Sequence, residues 1–180
     1  MTACPTCRRR FLAGLAGLAA LPLLASCRKD GTAASQPPVP IGPDDVCAVC
    51  GMTIAKQPGP KAEAYLEDQP GVLKFGGTVD FFSFILQPEN RDRLQAAYVQ
   101  DMAQADWNHP VDHWIDARKA WYVPTKELHG EMGPTLASFA SRADAEAFAK
   151  RYGGEVLTFA QATPKVIFNL GMCQHPDGDG

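Results

Sequence analysis

Apart from Cys4 and Cys7, which lie in a segment expected to be removed as an export signal, the sequence contains too few closely spaced cysteines to build a typical structural zinc site. Such a site takes four ligands, usually from two pairs of cysteine or histidine residues. The 180 residues include six cysteines and four histidines, and the pair formed by Cys47 and Cys50 has no second CxxC after it. A closed zinc site at this pair is therefore disfavoured, although the pair itself needs an explanation.

The sequence also lacks the basic excess of a nucleic-acid-binding protein and the motifs of common enzymes. It carries 20 acidic and 17 basic residues, which gives a formal net charge of −3. No Ser–His–Asp order, phosphate-binding glycine loop or paired-carboxylate motif stands out. We therefore expect neither a nucleic-acid partner nor an enzymatic activity.

The apolar run near the N-terminus is too short for a comfortable membrane span, which needs about 20 residues. It covers residues 11–25 and follows three arginines, a layout typical of an export signal. "RRRFL" is similar to a twin-arginine signal, and "LASC", which ends at Cys27, resembles a bacterial lipobox. We therefore predict a signal peptide over residues 1–26 and a lipid on Cys27, with a soluble secreted protein as the alternative.

These signals predict a periplasmic lipoprotein held at the membrane. Arg28, in place of an aspartate after the lipidated cysteine, slightly favours the outer membrane. Removal of the signal takes away three arginines and leaves 14 basic against 20 acidic residues, a net charge of −6. The proline-rich residues 27–43 are then expected to form a flexible tether between the lipid and the folded domain.

The rest of the chain contains a faint internal repeat. "FGGTVDFFSF" (75–84) and "FASRADAEAF" (139–148) both have phenylalanine, then aspartate five residues later, then phenylalanine four residues after that. In each copy an apolar strand end runs into a helix, which Thr78 or Ser141 is placed to cap. Gly153 is suited to end the second helix.

Strand-like stretches surround both predicted helices in the same order, two before and one after. They are residues 51–55, 62–66 and 96–100 around the first helix, and residues 120–123, 135–139 and 155–159 around the second. The sequence therefore predicts an α+β fold of two similar small ββαβ lobes, over residues 44–105 and 106–165. Residues 166–180 are expected to form a C-terminal tail.

The segment that connects the two predicted lobes is rich in aromatic residues. Trp107, Trp114 and Trp121 follow one another at steps of seven, a spacing that a helix could also produce. Pro110 argues against one continuous helix. We therefore expect loops and short turns that bury the aromatic rings between the lobes.

The stretch "CAVCGM" brings two thiols and a thioether into six positions. Cys47, Cys50 and Met52 could belong to a structural disulfide, a redox pair or a soft-metal site. A redox pair normally starts a helix, whereas a glycine and β-rich residues follow Cys50. The disulfide stays open as an alternative, but thiolate and thioether ligands are those that Cu(I) prefers.

A second thioether lies in "HGEMGP". Met132 is surrounded by glycines and a glutamate, and this polar setting indicates a loop rather than an apolar core. His129, three residues earlier, could add an imidazole nitrogen, although a solvated histidine is the simpler interpretation. A further sulfur-rich group, for which a frayed chain end is the simpler interpretation, consists of Met172, Cys173 and His175.

Taken in order, these motifs make the chain similar to the NosL family. The resemblance covers about residues 44–159 and is carried by "CAVCGMTIA", "LKFGGTVDFF", "AAYVQDM", "WIDARKAWYV" and "GEMGPTLASFASRADAEAFAKRYGGEVLTF". NosL proteins are lipoprotein accessory factors of nitrous oxide reductase. The resemblance implies a periplasmic, membrane-anchored Cu(I)-binding metallochaperone whose fold is two similar ββαβ lobes.

The resemblance also implies partners and ligands. The partners would be nitrous oxide reductase, whose copper–sulfide centre needs the delivered copper, and its membrane-associated maturation machinery. Cu(I) would be held by a cysteine thiolate of the CxxCGM motif and by the thioether of Met132. Of the two cysteines we favour Cys50, which lies next to Gly51, with Cys47 close behind. Met52 or His129 could assist on the chemistry of their side chains, although His129 matches no fixed feature of the family.

Two other functions stay open on the sequence alone. Cys47 and Cys50 could serve a thiol–disulfide oxidoreductase, or their disulfide could stabilise a scaffold lipoprotein that only docks partners. A copper carrier is favoured because two or three soft ligands at an edge leave a coordination position open for the acceptor. A closed site with four ligands would hinder that transfer.

Overall fold

The computed structural model describes residues 36–171, and in this range the chain forms two antiparallel sheets with helices packed against them. The first sheet has the strand order β2-β1-β3-β4, with β1 (Ala62–Leu66), β2 (Leu73–Phe75), β3 (Leu94–Gln100) and β4 (Trp114–Asp116). The second has the order β6-β5-β7, with β5 (Trp121–Gly130), β6 (Gly133–Phe139) and β7 (Leu157–Thr158). The helices are α1 (Thr78–Ile85), α2 (Pro88–Arg91), α3 (Arg142–Tyr152) and α4 (Pro164–Gly171).

The predicted α+β fold with a repeated ββαβ order is confirmed. The first half runs β1-β2-α1-β3 and the second runs β5-β6-α3-β7, with the short helix α2 added in the first half. In each half the first strand lies in the middle and the second and third flank it. The repeat is therefore present in the pairing of the strands as well as in their order, and β4 is an extra edge strand.

The phenylalanines that define the repeat occupy equivalent places. The rings of Phe75 and Phe84 lie 5.4 Å apart in the first half, and those of Phe139 and Phe148 lie 5.1 Å apart in the second. Phe75 and Phe139 are buried, and their partners are half-buried against the same clusters. The prediction that these rings face the cores is confirmed.

One predicted strand is wrong. Residues 51–55 do not form a strand, because Thr53 makes a single bridge to Val46 and a 3-10 turn begins at Ile54. Gly51 has a φ of +73°, which turns the chain back on itself before a strand can form. The second strand of the first half is instead β2, directly before α1.

The two predicted helix caps have different outcomes. Ser141 caps α3 as predicted, because its hydroxyl accepts a hydrogen bond from the backbone N–H of Asp144. Thr78 does not cap α1, whose N-cap is Gly77. The Thr78 hydroxyl donates instead to the carbonyl oxygen of Leu136 at 2.7 Å, so it ties α1 to the second sheet. Gly153, at a φ of +76°, ends α3 as predicted.

The two halves share the larger of two apolar cores, while the buried residues of the smaller one all lie in the second half. Phe82 on α1 lies edge-on to Tyr122 of β5, with the ring centroids 5.0 Å apart, and also contacts Phe159 after β7. All three rings belong to a single apolar cluster that includes residues of both sheets. Packing between the halves therefore stabilises both sheets, and it fixes the loops at their ends relative to one another.

The predicted C-terminal tail from residue 166 is wrong for its first residues. Residues 164–171 form α4, which packs on α1 and on the second sheet. Ile167 and Leu170, three positions apart, lie on one face of this helix and are buried in the shared core. Met172, Cys173 and His175 lie outside the described residues.

The loop prediction for the aromatic segment is confirmed only as far as residue 113, because Trp114 and Trp121 are the first residues of strands β4 and β5. Turns without a helix connect β3 to β4, and Asp112 and His113 have positive φ values. The tryptophans are half-buried rather than enclosed between the halves. Trp107 stacks on Phe148 at a centroid distance of 5.9 Å, so it extends the core of the second half only.

The part of the predicted tether that the structure describes is bound to the first sheet. We call residues 36–43 the strap. Four hydrogen bonds join the strap to the sheet. Tyr98 Oη donates to Gln36 O (2.7 Å), and Tyr65 Oη donates to Pro37 O (2.8 Å). Val39 N donates to Glu63 Oε2 (3.0 Å), and Lys74 Nζ donates to Pro40 O (2.9 Å). The predicted flexible tether therefore ends earlier than residue 43, because the tyrosine and lysine side chains hold the strap in place.

Glu63, which is fully buried beneath the strap, should make stability fall between acid and neutral pH. Burial raises its pKa from 4.5 to about 7, while the Val39 amide and Lys74 oppose the shift. Since the folded pKa lies above the unfolded one, the stabilisation is complete below pH 4.5 and is lost as the pH rises to about 7. Replacement by glutamine should remove this loss, so that Glu63→Gln exceeds the parent in unfolding free energy by on the order of 2 kcal/mol at pH 8.

Urea unfolding at several pH values measures this effect. The exposed Glu127→Gln is the matched control and should follow the parent curve. Parallel curves for Glu63→Gln and the parent between pH 4.5 and 8 would contradict the prediction.

Candidate metal centre

A tight loop before the first sheet brings the two cysteines of the CxxC motif together. The backbone N–H of Cys47 donates to Met52 O, and the N–H of Gly51 donates to Cys47 O, both at 2.9 Å. Ala48 N donates to Lys74 O at 2.8 Å, which fastens the loop to β2. The loop is therefore set by its backbone, and Cys47 is buried while Cys50 is half-buried.

Two carboxylates complete a cluster around the thiols. Cys47, Cys50, Asp80 and Glu131 each present a ligand atom, and these four atoms all lie within 4.8 Å of one another. Asp80 comes from the first turn of α1, and Glu131 comes from the turn between β5 and β6. The cluster thus combines residues of both halves of the chain, which the shared core holds in register.

Neither carboxylate is among the site residues that the sequence predicts. Asp80 is the aspartate of the internal repeat, but its counterpart Asp144 is exposed and binds the cap residue Ser141. Glu131 directly precedes Met132 in "GEMGP". Both signals were present in the chain, but only the tertiary structure brings these carboxylates to the cysteines.

Both thiols are free within the described part of the chain, so the two cysteines do not form a disulfide in this structure. The thiol of Cys47 donates to Asp80 Oδ2 at 3.1 Å. Burial raises the pKa of the Cys47 thiol, and burial together with Cys47 and Glu131 raises the pKa of Cys50 to about 12. A catalytic redox cysteine typically lies at the start of a helix that lowers its pKa, whereas Cys50 is followed by the turn at Gly51, and this geometry does not favour the oxidoreductase interpretation.

The Glu131 carboxylate is held in an unusual place. It lies directly over the α-carbon of Gly76, where any side chain would collide with it. Both of its oxygens are buried, and neither has a well-formed hydrogen bond to the described residues. Burial and the neighbouring Asp80 raise the pKa of Glu131. Burial of a carboxylate is costly, and a cation bound at the cluster would relieve that cost.

The predicted ligands outside this cluster differ in their exposure and in their neighbours. Met132 is 61% exposed and lines a small pocket together with Asp80 and Glu131, so this residue lies beside the cluster. Met52 is half-buried in the cysteine loop itself. His129 is exposed and is not part of the four-residue cluster, while its backbone carbonyl accepts a hydrogen bond from Trp107. His129 is therefore the predicted ligand that this geometry supports least.

The donor set suits a soft or borderline cation. Two thiols, with thioethers beside them, provide the ligands that Cu(I) prefers, and two thiols with carboxylates would also accept Zn²⁺. Either ion would displace the thiol protons, because thiolates are the binding form. The chemistry of the four residues thus points to a metal, and the adjacent Met132 favours copper.

Comparison with known proteins identifies the family. The model of the NosL family matches residues 38–167. The chain belongs to the NosL family. It is 41% identical over 162 residues to the copper-binding lipoprotein NosL of Stutzerimonas stutzeri, a match that covers 89% of this chain and 84% of the relative. It is 38% identical over 153 residues to the protein of the same name from Achromobacter cycloclastes, covering 83% of this chain and 79% of the relative.

A solved structure of the NosL family has the same fold. The crystal structure of the copper chaperone NosL from Shewanella denitrificans matches with a TM-score of 0.69 and 40% identity. The match covers 72% of this chain and 97% of that one. The NosL fold therefore extends over nearly all of the region that the structure describes.

Some predictions lie outside residues 36–171. They are the twin-arginine signal peptide, the lipid on Cys27 and the first part of the tether. Between residues 36 and 171 no helix is both long and apolar enough to cross a membrane.

Proposed function

We propose that this NosL-family protein is a carrier of Cu(I) that delivers copper for assembly of the copper–sulfide centre of nitrous oxide reductase. The observation that carries the proposal is the convergence of the Cys47 and Cys50 thiols in a cluster bordered by Met132. These are the soft ligands that favour Cu(I) over harder ions. The related proteins named for copper binding and copper chaperoning support the same conclusion.

The proposed ligands are the thiolates of Cys50 and Cys47 and the thioether of Met132. Cys47 is buried and Cys50 is half-buried, whereas Met132 is exposed. An ion held in this way is shielded on the protein side and open on the side of Met132. A ligand of the acceptor can then approach, form a shared intermediate and take the ion without releasing it to water.

The proposed location is the periplasm, with a lipid on Cys27 as the membrane anchor. The proposed partners are nitrous oxide reductase and its membrane-associated maturation machinery. This function transfers an ion and needs no chemical step on a substrate, so the protein is proposed to be a carrier and not an enzyme. The turn at Gly51, where a redox cysteine would typically start a helix, supports that choice over a thiol–disulfide oxidoreductase.

The Cu(I) affinity of the mature protein, measured anaerobically against a competing chelator, tests this proposal. One Cu(I) per chain and a loaded form that activates copper-free nitrous oxide reductase are expected. Oxidised, unreactive cysteines with no copper binding would favour the scaffold, and reduction of a model disulfide would favour the oxidoreductase. Tight copper binding without activation of the reductase would overturn the delivery step alone.

Met132→Leu should weaken Cu(I) binding by about tenfold, a loss within the range seen when the surroundings of a metal site are altered. Leucine keeps the bulk of the side chain and removes only the sulfur. His129→Ala is the matched control in the same loop region and should leave the affinity unchanged, because His129 lies outside the cluster. Equal affinities of Met132→Leu and the parent would remove Met132 from the proposed ligand set.

A further inference from the structure

A buried lysine lies next to the cluster of Cys47, Cys50, Asp80 and Glu131. Lys61 is only 1% exposed, and its ammonium donates to three backbone carbonyl oxygens in a row. They are those of Gln57 (2.6 Å), Pro58 (3.1 Å) and Gly59 (2.9 Å). Lysine is almost never fully buried without such partners, because burial of its charge is costly.

The pairing of the strands places Lys61 on the side of the cluster. Ala62 pairs with Phe75, so the preceding residue Lys61 lies alongside Gly76, the residue that the Glu131 carboxylate covers. Gly59, whose carbonyl accepts from the ammonium, lies so close to Gly130, the neighbour of Glu131, that a Cβ added at Gly59 would come within 3.0 Å of the Gly130 α-carbon. Lys61 and Glu131 are therefore neighbours on two independent structural grounds.

The charges of these two neighbours act on each other. Burial lowers the pKa of Lys61 to about 8, and the negative charge of Glu131 opposes that shift. Lys61 in turn acts against the rise in the pKa of Glu131. Three carbonyl acceptors around Lys61 Nζ require three N–H donors, which only the ammonium form has, so a positive charge is fixed beside the cluster.

A fixed positive charge affects monovalent and divalent ions differently. The cluster holds four groups that can each become negative, which would attract a divalent ion more strongly than a monovalent one. The Coulomb energy between Lys61 and a bound ion is proportional to the charge of the ion, so the repulsion of Zn²⁺ is twice that of Cu(I). Because the ammonium is buried, solvent and salt screen this repulsion weakly.

We propose that Lys61 is a specificity-determining residue, whose buried ammonium weakens the binding of divalent ions to the Cys47–Cys50–Asp80–Glu131 cluster more than it weakens the binding of Cu(I). The inference rests on the proposed function for the identity of the preferred ion. It assigns to this chain a means of rejecting Zn²⁺, which the thiols and carboxylates would otherwise accept. Lys61 acts through its charge and does not contact the ion.

The test compares the Cu(I) and Zn²⁺ affinities of the mature protein with those of Lys61→Met and Lys61→Gln. Both variants remove the charge, and glutamine keeps a donor for the carbonyl oxygens of the loop. The ratio of Cu(I) to Zn²⁺ affinity should fall by about tenfold in both, mainly through tighter Zn²⁺ binding. Lys56→Met is the matched control, because Lys56 is exposed in the same region, and its ratio should equal that of the parent.

A purely structural role for Lys61 predicts a different result. Loss of the loop contacts would weaken the binding of both ions by a similar factor and leave the ratio unchanged, and that outcome overturns the proposal. If the neutral variants do not fold, Lys61→Arg retains the charge and must retain the ratio, so a tenfold change in that variant also overturns it. If the parent protein binds Zn²⁺ but not Cu(I), the proposed function is contradicted. A gain in Zn²⁺ affinity in Lys61→Met would still support the charge effect of Lys61 in that case.

Discussion

Simultaneous replacement of Cys47 and Cys50 by serine is expected to abolish tight Cu(I) binding. The two thiolates supply the negative charge and the soft sulfur donors at the centre of the cluster, and a serine hydroxyl is a poor ligand for Cu(I). The Cu(I) affinity should fall by more than about a hundredfold. A hundredfold is the upper end of the loss seen when a residue that only orients a metal ligand is replaced. Met132 and Met52 should leave a weak residual site.

The fold should survive this double replacement. Serine can donate to Asp80 Oδ2 as the Cys47 thiol does, and the loop is held by backbone hydrogen bonds that do not involve the sulfurs. Circular dichroism checks the fold, and an anaerobic chelator competition measures the affinity. Val49→Ser, an exposed change between the two cysteines, is the matched control and should bind as the parent does.

The single cysteine variants separate the roles of the two thiols. We expect Cys50→Ser to lose more affinity than Cys47→Ser, because Cys50 is the half-buried thiol and Cys47 lies deeper against Asp80. Tight binding of Cu(I) by the double variant would show that copper binds elsewhere. The cluster would then be a set of structural thiols.

Phe82→Ala is expected to cause a large loss of stability. Phe82 is fully buried and lies in contact with Phe81, Tyr122 and Phe159, at centroid distances of 5.1, 5.0 and 5.4 Å. Truncation of such a ring typically costs about 3–5 kcal/mol, because the cavity closes only in part. The truncation would also loosen α1 close to the cluster, because Phe82 lies only two residues after Asp80.

Urea unfolding measures this loss. Phe168→Ala is the matched control, since Phe168 is 61% exposed on α4 and its truncation should change the unfolding free energy by less than about 1 kcal/mol. Similar losses in the two variants would contradict the assignment of Phe82 to a core shared by both halves.

Local features of the chain were predictable from the sequence alone. The alternation of strand-like stretches and helices, the Phe75 and Phe139 repeats and the Ser141 cap follow from propensities and spacings within a few residues. The exposed position of Met132 also followed from its glycine neighbours. The CxxC motif indicated a disulfide or a metal site, although its spacing did not distinguish between the two.

Other local expectations failed where a distant contact competed with a local one. Thr78 has the sequence position of a cap, but its hydroxyl finds the Leu136 carbonyl on the other sheet. Residues 51–55 have strand propensity, but the turn at Gly51 uses their backbone to close the cysteine loop. The sequence predicts a free tether where the strap lies, because the tyrosines that bind the strap are far along the chain.

By itself, the sequence determined the two ββαβ units, the family resemblance and the candidate sulfur ligands. Only the tertiary structure decided that the two units share one core, and that Asp80 and Glu131 meet the cysteines there. The same packing put Lys61 beside Glu131. The physical reason is that helix and strand patterns arise from neighbouring residues, whereas a site built from side chains more than 80 positions apart depends on how whole elements pack, which no local pattern encodes.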